Sequence, residues 1–411
     1  MVKEGYLDNM NFKSNEKIKK FLSDFDKFID YISTKDVTIG KATKYISKKY
    51  LFEINEIMST KQQDVTANST QPSYPMIYLF YRLAVESKLL SEAKIKGGRL
   101  ALKPTERIEM FKRLNEVEKY ICLLEILWVD CDFEKLEFQS YNDLNVLKVV
   151  INMDMFMRKK ANKRILVNEF SRDISTILLY FSYFGIMDVL EDAEVKSKYS
   201  ISKIFFVKEV ILTSVGENII KILDEKRNLA EWNISHRKEY GEFNIEFDEE
   251  FFVPFKGIFE DVELEKTLPR RKIKFKDGIY TFKVSLDKGT WSKIQLSAHG
   301  TLHDLHNLIQ EAFEFDNDHM YSFFMDGIPW SKNSFKCPYD DEGISADEVE
   351  IGELELIKKQ NFLYIFDFGE DWRFNVEVLV IKKEVIEEFQ GEIIESKGDL
   401  PQQYPDYDDE W

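Results

Sequence analysis

The sequence predicts an α+β protein: a mostly helical N-terminal region, then a domain built on an antiparallel sheet. Three observations carry this. From Phe362 to Val380 the run FLYIFDFGEDWRFNVEVLV alternates with period two. It places Phe362, Tyr364, Phe366 and Phe368 on one face, then Trp372, Phe374, Val376, Val378 and Val380 after a turn at Gly369-Glu370-Asp371. A second alternation, Tyr280, Phe282, Val284 and Leu286 against Thr281, Lys283 and Ser285, turns at Asp287-Lys288-Gly289 into TWSKIQL. Upstream, the apolar residues recur at helical spacing instead.

The chain has 411 residues, enough for two or three domains, and a formal net charge of −17. That charge excludes a surface that clings everywhere to nucleic acid, though it leaves room for a local basic patch. Cys122, Cys131 and Cys337 form no CxxC pattern and read as structural thiols of a reducing compartment. No apolar run is long enough to span a bilayer, so a soluble cytoplasmic protein is expected, with no membrane partner.

Residues 1–235 are expected to be helical. Phe21, Leu22, Phe25, Phe28, Ile29 and Ile32 form one amphipathic stripe, and a helix is expected from Lys41 to Met58. A polar loop over 61–75 precedes the apolar helix MIYLFYRLAVESKLL. Two strands joined at Gly97-Gly98 follow, with Thr105 capping the next helix. The order recurs: the apolar helix of ISTILLYFSYFGIMDVLED, ending at Gly185, a hairpin in SISKIFFVKEVILTSVGENIIKIL, and Thr213 capping a last helix. Helix, hairpin and capped helix used twice suggest two winged-helix-like units with a helical insert between them. Residues 236–272 mix acidic and aromatic residues and read as a connecting segment in which Phe251, Phe252, Phe255 and Phe259 demand burial. The α+β domain is expected over 273–411, with one main helix, Leu302–Phe313, opened by a capping box of Thr301 and Asp304.

Two kinds of site are legible. Lys41, Lys44, Lys48 and Lys49, and separately Arg158, Lys159 and Lys160 with Lys163 and Arg164, are clusters that suit phosphate contacts. On so acidic a chain each fits a solvated face balanced by glutamates better, so nucleic acid is a possible partner that net charge does not favour. Four of the five histidines lie between His299 and His319. Helical spacing puts His306 on the core side, in a row with Leu302, Ile309 and Phe313, and His303 on the wet side. Asp367 interrupts the apolar row of Leu363 and Ile365 and needs a partner, a histidine or Arg373. His306, His319, Asp367, Glu370, Asp371 and Trp372 therefore make a candidate polar site, with His306, His319 and Asp367 as a metal-ligand set. The competing reading is a satisfied core histidine and turn-capping aspartates. No Walker A loop, GxGxxG or GxSxG occurs, and the sequence names no cofactor. The tail GDLPQQYPDYDDEW reads as solvated.

The stretches YTFKVSL with Trp291, TLHDLHNLIQEAFEFDNDHMYSFF, FLYIFDFGEDWRFNVEV and QQYPDYDDEW, over roughly residues 275–411, resemble the plasmid pRiA4b ORF-3-like family, also labelled transposon-passenger or putative resolvase. Positions matching its characteristic polar residues are His306, His319, Asp367, Gly369, Glu370, Asp371 and Trp372; Phe374 stands where many members have histidine. The resemblance implies an α+β domain and a link to mobile elements. No nucleophilic serine among clustered arginines accompanies it. Two functions are thus carried forward: a non-enzymatic interaction or regulatory module with an unidentified protein partner or ligand, and a metal-dependent hydrolase using His306, His319, Asp367 and Asp371.

Overall fold

A computed structural model describes residues 11–138, 144–157, 164–167, 173–198, 205–383 and 389–404. The chain divides into two compact units, Met1–His236 with Phe247–Pro269, and Arg237–Glu246 with Arg270–Trp411. Residues 236–272 are therefore shared. Phe251, Phe252, Phe255 and Phe259 are buried in the core of the first unit, while Phe243 packs its ring on Phe335 of the second.

The first unit begins with helix Glu16–Thr34, capped by Asn15, whose side chain accepts the Ile18 amide at 3.1 Å. Its stripe, Ile18, Phe21, Leu22, Phe25, Phe28, Ile29 and Ile32, is buried. Strand β1 (Val37–Ile39), helices Lys48–Ile57 and Pro75–Glu86, and the hairpin β2 (Leu90–Lys94) and β3 (Leu100–Pro104) follow, with sheet order β1-β3-β2. The helix expected from Lys41 starts only at Lys48. Ile46 is buried and bridges Ile39, the Gly40 amide donates to the Tyr45 carbonyl at 2.9 Å, and Lys44 takes a φ of +57°. Residues 41–45 are thus a turn bound to the sheet.

The second half repeats the pattern around helix Val146–Met157, β4 (Arg164–Leu166), helix Ser175–Tyr183, β5 (Met187–Glu191) and β6 (Val207–Leu212), with order β4-β6-β5. In both sheets the first strand pairs with the last. In the second, however, helix Ala193–Lys198 stands between β5 and β6, and β5 precedes the stretch SISKIFFVKEVIL in which a hairpin is expected from the sequence. Thr213 caps helix Ser214–Lys226 by accepting the Gly216 amide at 2.9 Å.

The second unit is an eight-stranded sheet of β7 (Ile279–Ser285), β8 (Trp291–Ser297), β9 (Tyr321–Phe324), β10 (Ser334–Lys336), β11 (Ile344–Ser345), β12 (Asn361–Phe366), β13 (Trp372–Lys382) and β14 (Gly391–Lys397). Their order is β11-β10-β9-β12-β13-β7-β8-β14, antiparallel except for β10 with β11. Helix Leu302–Phe313 buries Leu302, Leu305, His306, Ile309 and Phe313, with Phe313 meeting Phe374 ring to ring at 4.8 Å. The fold class is α+β. One detail departs from strict alternation: a register shift between Val378 and Val380 turns Val380 outward, leaving it 37% exposed.

Candidate functional site

The capping box forms as its spacing requires: Thr301 Oγ1 accepts the Asp304 amide at 3.1 Å and Asp304 Oδ2 accepts the Thr301 amide at 2.7 Å. It fixes the start of the helix, and helical spacing then sets His306 against the sheet, 1% exposed. Tyr364, on the inward row of β12, places its hydroxyl 2.6 Å from His306 Nδ1. Asn317 Oδ1 stands 2.8 Å from Nε2. An amide oxygen only accepts, so Nε2 carries the proton and Nδ1 accepts from Tyr364. The Tyr364 oxygen in turn accepts from Gln310 Nε2 at 2.7 Å. Each polar group therefore passes a hydrogen bond to the next, and a neutral imidazole suits every one of them. Burial pulls the His306 pKa down to about 3, with the Asn317 bond opposing and His303 assisting the fall. Burial likewise pushes the Tyr364 and Tyr321 phenols up. The Tyr321 ring stacks on that of His306 at 3.7 Å.

His303, expected on the wet side, is half-buried: its Nδ1 meets the Tyr321 hydroxyl at 2.7 Å and its ring stacks on that of His306 at 5.6 Å. Helical spacing could not show this, because Tyr321 arrives from a strand distant in sequence.

A second group occupies the rim. Strand β12 ends at Phe366, and Asp367 takes a φ of +52°, so its side chain leaves the Leu363–Ile365 row. Its Oδ1 accepts the amides of Gly369 at 3.0 Å and Glu370 at 3.3 Å, and its carbonyl accepts that of Asp371 at 2.7 Å. The connection between β12 and β13 is therefore the five residues Asp367–Asp371, longer than Gly369-Glu370-Asp371. His319 Nε2 lies 3.5 Å from Asp367 Oδ2 and 3.7 Å from Asp318 Oδ1. So Asp367 meets a histidine, and Arg373 pairs with Asp371 instead, at 2.7 Å. Glu370 is exposed; Trp372 packs on Phe315 at 5.0 Å and its Nε1 is buried without a partner among the described residues.

The tail is anchored up to its last described residues. Gln403 is buried, accepting the Asp316 amide at 2.6 Å and donating to the Asp316 carbonyl at 3.0 Å. Tyr404 donates to Asp318 at 2.7 Å, and burial together with that carboxylate pushes its pKa up to about 12. Tail residues 405–411 lie outside the described residues.

The expected metal-ligand set is not assembled. Both nitrogens of His306 are spent on Tyr364 and Asn317, whereas His319 sits at the rim with Asp367. Among the described residues no group of three or more histidine, cysteine, aspartate or glutamate side chains is placed to hold a metal. The residues that sequence reasoning missed, Tyr364, Gln310, Asn317 and Tyr321, are the partners of His306. Gln310 had a signal, four residues on from His306 along the same helix.

Of the basic candidates, Lys41 is exposed in the turn, Lys44 pairs with Glu92 at 2.5 Å, Lys48 is the first helical residue and Lys49 faces Glu53 at 3.8 Å. Arg164 pairs with Glu209 at 3.4 Å. Arg158, Lys159, Lys160 and Lys163 lie outside the described residues.

No curated protein matches the sequence. Among solved structures, a protein of unknown function from Methanosarcina mazei Go1 is similar at 19% identity over 29% of this chain and 69% of its own, with a TM-score of 0.26. The residues carrying the sequence resemblance, from β7 through the His306 helix and the Asp367–Asp371 turn to Gln403, fall in one stretch: residues 278–403 match the family described as plasmid pRiA4b ORF-3-like protein.

Proposed function

We propose that the chain is a cytoplasmic, non-enzymatic interaction or regulatory module, associated with mobile elements as its family's plasmid-derived name suggests. One observation carries the reading. Both nitrogens of the residue at the centre of the sheet unit are engaged: His306 gives one to Tyr364 and the other to Asn317, with the ring buried, although Gln310 Oε1 is left without a partner among the described residues. Bonds of this kind help fix a unique core and leave neither His306 nitrogen free for a substrate or metal. In the helical unit, a three-stranded sheet with the same strand order occurs twice beside helices, which supports two winged-helix-like units as the partner-facing part. Among the described residues no helix is long and apolar enough to cross a membrane.

Capture from the native cell after mild cross-linking tests the reading. A partner recovered in fixed proportion to the chain, and lost when exposed residues of the helical unit are changed, is the expected result. Turnover of a substrate by the purified chain, abolished by His303→Gln or His319→Gln at unchanged melting temperature, would overturn it.

A further inference from the structure

Residues 37–52, VTIGKATKYISKKYLF, and residues 93–105, AKIKGGRLALKPT, each contain no carboxylate. The first holds Lys41, Lys44, Lys48 and Lys49, and the second holds Lys94, Lys96, Arg99 and Lys103, in a chain with 74 acidic and 57 basic residues. Strand pairing brings part of each together. Ile39 lies opposite Leu100, and Leu100 opposite Lys94, so the 41–45 turn and the 95–99 hairpin tip leave the sheet at the same end. Lys103 lies towards the other end, where it pairs with Asp36.

Lys41, Lys94, Lys96 and Arg99 are exposed, and among the described residues no carboxylate stands within ion-pair distance of them. Lys44, between them in sequence, is held by Glu92 on the hairpin itself, which ties turn and hairpin into one body. The tip is open. Gly97 and Gly98 take φ values of +81° and +68°, and nothing lies within 4 Å of where either Cβ would stand. Four uncompensated cations around a bare two-stranded ribbon repel one another, and a polyanion relieves that repulsion.

We propose that this end of the helical unit, Lys41 with the hairpin cations Lys94, Lys96 and Arg99, binds the phosphates of double-stranded DNA. The proposal rests on reading the chain as an interaction module and names its partner. A B-form duplex fits because its major groove, about 12 Å wide, admits a two-stranded ribbon, whereas the narrow A-form groove of RNA does not. Tyr45 of the 41–45 turn is half-buried with its ring edge-on to Tyr78, and the hairpin tip carries no aromatic residue, so no ring stands free for the stacking that single strands require. No large exposed apolar residue does either, as insertion into lipid would require. The net charge of −17 opposes phosphate binding over the molecule at large and so favours a local patch.

The test is fluorescence anisotropy of the full chain with a labelled random duplex of about 20 base pairs, as DNA and as RNA, across a salt series. Four phosphate contacts predict an affinity falling roughly 150-fold between about 50 and 200 mM salt. The variant K94E/K96E/R99E should lose binding and lower the slope of log affinity against log salt by about three. The charge-matched K274E/K358E/K383E in the sheet unit should keep both, and equal melting temperatures should show that neither variant is unfolded. Unaltered binding by the hairpin variant, or no binding at low salt, would overturn the proposal. So would binding to phosphatidylserine vesicles without binding to duplex. Such a failure removes nucleic acid as the partner while leaving the interaction module itself, which falls only to catalytic turnover.

Discussion

His306 and Tyr364 share one hydrogen bond of 2.6 Å, between a helix and a strand far apart in sequence, and that bond closes the polar core of the sheet unit. The Tyr364 oxygen is used twice, donating to His306 and accepting from Gln310. Removing it with Tyr364→Phe orphans Nδ1 of His306 and Nε2 of Gln310 together. Each buried unsatisfied group costs about 1–3 kcal/mol, so a loss of at least about 2 kcal/mol is expected in urea unfolding. A double-mutant cycle with His306→Phe should show strong non-additivity. Additive costs would mean that the bond does not couple the two elements.

Acid should destabilise the domain through His306. Its folded pKa is depressed to about 3 from an ordinary value of 6.5, so the folded ring stays neutral where the unfolded ring takes up a proton. The stability tied to its neutral state is whole above pH 6.5 and is lost as pH falls towards 3, at up to about 1.4 kcal/mol per pH unit. His306→Gln removes the titration, so its stability should depend on pH less steeply in that window. Parallel pH profiles for the two proteins would refute the assignment.

Asp367 sets the turn by backbone shape as well as by charge. Its φ of +52° suits aspartate, asparagine or glycine, and its Oδ1 holds two loop amides. Asp367→Asn keeps both features and should cost under about 1 kcal/mol, whereas Asp367→Ala adds about 1–2 kcal/mol of backbone strain and frees the amides. Thermal melts that rank the two variants equally would show that the carboxylate, rather than the turn, matters there.

Position 216 tests the packing of the helical unit. A Cβ on Gly216 would stand 1.7 Å from the Ile186 carbonyl oxygen, a backbone atom that cannot swing aside. Gly216→Ala should therefore destabilise by about 1–3 kcal/mol or more, as overpacking does. A neutral substitution would mean that the Thr213-capped helix sits farther from the β5 end than described.

Much of this was legible. Helical period assigned His306 to the core, and alternation placed Tyr364 on one face of its strand, but neither said that the two would meet. The match depends on which strand lies under the helix. His303 was misplaced for the same reason, since Tyr321 reaches it through sheet pairing. Lys41 to Lys44 looked helical because the local residues permit a helix, yet the bridge from Ile46 to Ile39 outweighs that weak preference. Val380 follows a register shift that alternation cannot anticipate. The tail's composition suggested solvation, and only its two-way bond to Asp316 reveals Gln403 as an anchor. Local periodicity was readable; contacts between distant segments were not.

The strand order also has a consequence during synthesis. β7 sits beside β8 at the start of the sheet domain, but its other neighbour is β13, so Ser285 waits for Asn375 and Ile279 for Lys382. Until the ribosome has delivered nearly the whole domain, the β7–β8 ribbon carries an unfilled edge with Tyr280, Phe282 and Val284 uncovered. Closing so long a loop is slow, and an exposed edge of this kind pairs readily with a second nascent chain. Protection of that ribbon by a chaperone, or slow translation after β13, would raise the yield of native protein more than any gain in the stability of the finished sheet.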